Sequence, residues 1–138
     1  MTTPLYALLW FTVWTVGIAT VGIGAWRVGN VLMGKARPNA FPADTPHGPE
    51  WYRRVIRAHL NCVENLPVFA ALVLIGHVSG VTDGTFATLA QVVAAARVGQ
   101  TLAHIASGRS LVVNIRFTFF LTQLICFFSM AVILLRHG

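Results

Sequence analysis

Acidic residues are scarce in this chain: Asp44, Glu50, Glu64 and Asp83 are the only four in 138, and all charged residues together make up 10% of it. Soluble domains carry about 25%, so an ordinary water-facing surface is excluded. Cysteine is nearly absent too. Cys62 and Cys126 stand far apart, with no CxxC and no histidine at metal-ligand spacing; this argues against a disulfide framework and a metal site and leaves both as apolar packing residues. A basic tail is also missing. The ten lysines and arginines give a formal net charge of +6 but are interleaved with apolar runs, which argues against nucleic acid as a partner.

In place of charge the chain has 56% hydrophobic residues and a mean hydropathy of +0.70. Each membrane span needs about 20 mostly apolar residues, so the length predicts one domain, residues 1–138, of four spans. The first is expected over about 5–28, carrying Trp10, Trp14 and several glycines that permit close helix approach. No basic n-region or small-residue cleavage site precedes it, so it is expected to be retained rather than cleaved as a signal peptide. Pro38, Pro42 and Pro46 make the following stretch the one long loop. The second span is predicted over 50–78, starting beside Pro49 and kinked at Pro67; the third over 85–106; the fourth over 114–135. Short connections between them predict an all-α, antiparallel four-helix transmembrane bundle.

Arg27, Lys35, Arg37, Arg53, Arg54, Arg57, Arg109 and Arg116 all fall at one end of that bundle, against Arg136 at the other. The positive-inside rule then puts the two basic loops in the cytoplasm and both termini on the opposite side.

Charged side chains at membrane depth are costly and mark function. On a helix advancing about 100° per residue, Arg53, Arg54, Arg57, Asn61, Glu64 and Asn65 share an arc of roughly 120°, with His59 nearly opposite and expected to pack. In the third span Arg97, Gln100, Thr101 and His104 share a second face of about 100°. Arg97 and Glu64 are open to two readings: a structural ion pair pinning two helices, with Asn61 and Gln100 as interhelical hydrogen-bond glue, or members of an anion site. The surplus of arginine over acid favours the anion site. Arg116 opens the fourth span, and Arg109 lies nearby; either one alone suits a snorkelling position.

The run Arg57-Ala58-His59-Leu60-Asn61, followed by Glu64-Asn65 and Pro67, resembles the motif Arg-Ala-His-x-Asn-x-x-Glu-Asn of the MAPEG superfamily, the membrane-associated proteins in eicosanoid and glutathione metabolism, and within it the microsomal glutathione transferases. Ala96-Arg97 through His104 is similar to the family's second block. The resemblance covers nearly the whole chain. It implies a homotrimer of four-helix bundles that binds glutathione as co-substrate, without a metal, and takes a hydrophobic small-molecule or lipid partner from the membrane. On matching positions it implies Arg57, Asn61 and Glu64 as glutathione ligands with Arg54 beside them, Arg97 and His104 from the third helix, and Arg37 from the long loop. Arg116, with Arg109 as rival, is then the arginine that stabilises the thiolate in a transferase or peroxidase. A non-catalytic lipid- or glutathione-binding scaffold is the alternative. His104 and Gln100 stand where several members carry tyrosine, and Arg53 where an acid is usual.

Overall fold

A computed structural model describes all 138 residues. Four helices form: α1 over Thr3–Leu32, α2 over Glu50–Val78, α3 over Gly84–Ala106 and α4 over Ser110–His137. Connections of residues 79–83 and 107–109 leave the chain no choice but to fold back, and 33–49 form the one long loop.

Both ends of α1 and of α4 lie outside their expected bounds. α1 extends in both directions beyond 5–28 because Pro4 suits a first helical turn and Gly29, Asn30, Val31 and Leu32 continue the helix. Within it, Ile18–Gly24 winds as a π-helix, with the Ala25 amide bonded five residues back to the Thr20 carbonyl. Gly22 in that segment lies so close to α2 that an added Cβ would stand 2.6 Å from Val55. α4 begins at Ser110 rather than near Asn114, since nothing in 110–113 opposes helix formation. α2 follows its predicted bounds and runs through Pro67.

α1, α2 and α4 are long and apolar enough to cross a membrane. α3, predicted as a span, forms but lacks that apolarity, for a reason visible in its packing: Arg97, Gln100 and Thr101 are buried inside the bundle rather than turned outward. Asp83 starts it, its carboxylate accepting from the Phe86 amide at 2.9 Å. That bond holds the Asp83 carboxyl below the usual aspartate range.

One core joins all four helices, built on Phe11 from α1, Phe69 and Val73 from α2, Phe86 and Val93 from α3, and Phe127 and Met130 from α4. Phe69 stacks between Phe11 and Phe127 with ring centroids 5.5 and 6.2 Å away. The long loop is held down by aromatics. Trp26, Phe41, His47 and Tyr52 cluster there, and Arg27 donates to the Tyr52 hydroxyl at 2.6 Å while lying over the Phe41 ring. Gly48, at φ +78°, passes where a Cβ would meet both Tyr52 and Trp26.

Candidate functional site

At the end of the bundle that carries the long loop, the first turns of α2, the last turn of α3 and the start of α4 enclose a cavity of about 390 Å³. Glu50, Arg53, Arg54, Arg57, His104, Gly108 and Arg116 line it, and none is hydrophobic. Arg53, Arg54 and Arg57 reach it because spacings of one, three and four put them on one side of a helix. Gly108 sits in the three-residue connection that turns α4 back past them.

Four guanidinium groups face a single carboxylate. Arg54 is the committed one: Nη1 contacts Glu50 Oε1 at 2.7 Å and Nε donates to the Ile105 carbonyl at 3.1 Å, satisfying an open carbonyl at the end of α3. This is the only ion pair in the chain. Arg53 and Arg57 are exposed and unpaired, and both also line a second hollow of about 220 Å³ beneath residues 42–47 of the long loop.

Arg116 is half-buried, and its Nη1 donates to His104 Nδ1 at 2.9 Å. A guanidinium only donates, so this imidazole accepts on Nδ1, is neutral, and carries its proton on Nε2. Nε2 lies 2.9 Å from the Asn61 amide. A protonated Nε2 needs an acceptor, so the amide presents its oxygen there, the two orientations of an Asn amide having the same shape. The chain Arg116–His104–Asn61 thus ties α4, α3 and α2 together in one defined sense. Below it, Gln100 donates to the Arg116 carbonyl at 3.2 Å and accepts from Gln123 at 3.0 Å.

The residues expected to form the site are therefore divided. Arg54, Arg57, His104 and Arg116 meet in the cavity, and Asn61 joins them through His104. Glu64 is exposed on α2, two turns further along, and makes no ion pair with Arg97. Arg97 is 1% exposed, lies deeper in α3 with its guanidinium over the Phe11 ring, and does not reach the cavity. Arg37 is exposed on the turn after α1, and Arg109 is an exposed residue just before α4; neither lines the cavity. Asn61 fills the expected role of an interhelical link, and so does Gln100, bonded to α4. His59 packs half-buried, but its Nδ1 finds no partner. Arg53 and Glu50 are cavity residues that were not among the expected ligands. The signal for Arg53 was present, since it lies on the same helical arc as Arg57.

A protein-family model, that of the MAPEG family, matches residues 3–136. No curated protein and no solved structure matches the chain.

Proposed function

The chain belongs to the MAPEG family, and from that premise we propose that it is an integral membrane enzyme that activates glutathione for attack on hydrophobic electrophiles or lipid hydroperoxides. The observation that carries this reading is the cavity itself, with four arginines against one glutamate and no apolar lining. Glutathione brings two carboxylates, one ammonium and a thiol. Arg53 and Arg57, free of protein partners, suit the carboxylates as forked donors, and Glu50 is the acid in the cavity that suits the ammonium. Glu64 would serve it only if the ligand extended along the outer face of α2.

Arg116 is the group we assign to the thiol. One of its donors is fixed on His104, which aims the guanidinium, and its remaining N–H groups are available to a sulfur. An unperturbed thiol titrates near 8.5; lowering it by about two units makes most of it thiolate at pH 7, for roughly 3 kcal/mol of preferential stabilisation. A single guanidinium at the edge of the membrane is sufficient for that. In conjugation the sulfur lone pair forms the C–S bond and the leaving group departs with its bonding pair. In peroxide reduction the sulfur takes the terminal oxygen, the O–O bond breaks, the alkoxide is protonated to an alcohol, and a second glutathione converts the sulfenic acid to disulfide and water.

The same reading puts the long-loop end in the cytoplasm, where glutathione is dissolved, and a homotrimer fits the exposed Leu60, Glu64 and Val68 along α2. Calorimetry of glutathione binding to the purified protein tests the proposal. Wild type is expected to bind, and Arg57→Ala to bind about 10- to 100-fold more weakly, the range for one lost hydrogen bond to a charged group. No heat with wild type, or equal binding by the variant, overturns it.

A further inference from the structure

The hollow of about 220 Å³ beneath the long loop adjoins the arginine cavity, because Arg53 and Arg57 line both. These two stand one turn apart on α2, exposed and without an ion-pair partner, as a ridge between two compartments. Each compartment has an acid of its own. Glu50 belongs to the arginine cavity and Asp44 to the hollow.

Arg27 is the cation that lines the hollow alone. Its direction is fixed much as that of Arg116 is: Nε donates to the Tyr52 hydroxyl at 2.6 Å and the guanidinium lies over the Phe41 ring, which leaves the two terminal nitrogens as donors. Asp44 is exposed and makes no ion pair, so no cation of the hollow reaches its carboxylate. Opposite charges held apart across a hollow are complementary to a zwitterion. A volume below the roughly 300–1,000 Å³ of whole small-molecule sites suits one end of a longer ligand. The α-amino-acid head of a γ-glutamyl peptide has that charge pattern and that size.

We propose that the hollow holds the γ-glutamyl head of the second glutathione consumed in peroxide reduction, with its α-carboxylate on Arg27 and its ammonium on Asp44. The inference rests on the glutathione reading of the arginine cavity and adds a subsite to it. The second peptide extends over Arg57 towards Arg116, where the first carries its sulfenic acid. Its sulfur attacks the sulfenic sulfur, the S–S bond forms, the S–O bond breaks, and the departing hydroxide takes the thiol proton as water. The disulfide then spans both compartments: its two ammoniums meet Asp44 and Glu50, and its carboxylates share Arg27, Arg53 and Arg57, each with several N–H donors.

Titration calorimetry on full-length protein in detergent tests this with two probes: glutathione disulfide, which fills both compartments, and S-methylglutathione, which fills only the arginine cavity. Asp44→Asn, at an exposed loop position, is expected to weaken the disulfide about tenfold relative to S-methylglutathione, the loss of one hydrogen bond to a charged group. Asp44→Glu keeps the charge and is expected to restore most of that difference. In turnover, Asp44→Asn is expected to lower cumene hydroperoxide reduction about tenfold relative to conjugation of chlorodinitrobenzene, which consumes one glutathione. Wild type that binds S-methylglutathione but not the disulfide, or Asp44→Asn in which the two affinities keep their wild-type ratio, overturns the second subsite and leaves the glutathione reading standing. Wild type that binds neither probe overturns that reading, and the subsite with it.

Discussion

Arg116 and His104 are joined by a 2.9 Å hydrogen bond in which the guanidinium donates to Nδ1 of a neutral imidazole. The bond sets the direction of Arg116 from a different helix, so in the proposed reaction Arg116 would act on the thiol directly and His104 only through it. Arg116→Ala is expected to lower kcat/KM for glutathione conjugation by about 10²–10³, the cost of removing one preorganised donor, while glutathione still binds. His104→Phe removes the aiming contact together with the link to Asn61 but leaves Arg116 in place, and is expected to cost about tenfold. Arg109→Ala, exposed and outside the cavity, should match wild type. Steady-state kinetics on the three variants check the order.

The cavity lining ranks the arginines differently from the sequence motif. Arg53→Ala is expected to weaken glutathione binding about tenfold, because Arg53 lines the cavity unpaired. Arg37→Ala, on an exposed turn away from it, should leave the dissociation constant within about twofold. Titration calorimetry of the two variants side by side decides the ranking.

Gly48 is the hinge of the long loop's aromatic clasp. Gly48→Ala puts a Cβ 2.7 Å from the Tyr52 ring and 2.9 Å from Trp26, at a backbone angle that disfavours it. We expect a loss of roughly 1–3 kcal/mol. Thermal unfolding in detergent measures it, and chymotryptic cleavage near Phe41 should quicken as the clasp opens.

Asp83 gives one pH dependence outside the spans. Its carboxyl is held below the 3.8 of a free aspartate, chiefly by the Phe86 amide that it accepts from. A depressed folded value means that the stabilisation is fully present above 3.8 and is lost as the pH falls through the lower folded value. Hydrogen exchange at Phe86 is expected to lose protection over that acidic window. In Asp83→Asn the cap persists and this pH dependence disappears, since the amide does not titrate.

Much of the fold was legible because membrane helices announce themselves by apolar runs: α2 matches its predicted bounds of 50–78. The ends of α1 and α4 were harder, because Asn30 and Ser110 are as acceptable in a helix as outside one. The arc of Arg53, Arg54 and Arg57 pointed to the cavity, since helical spacing fixes which side chains share a side. What it could not show is which neighbour each would find. Glu64 and Arg97 looked like partners by charge alone, yet α2 turns Glu64 outward while α3 buries Arg97 against Phe11. The inward turn of α3 also explains why a helix with Arg97, Gln100 and Thr101 is not apolar enough to span by itself.

The central claim is that the arginine cavity binds glutathione and ionises its thiol, and thiolate absorbance in the ultraviolet tests it most directly. Glutathione added to wild-type protein at pH 7 should develop a thiolate band that saturates with the number of sites and is lost in Arg116→Ala. A bound glutathione that shows no thiolate band in wild type, or an undiminished band in Arg116→Ala, would contradict the account.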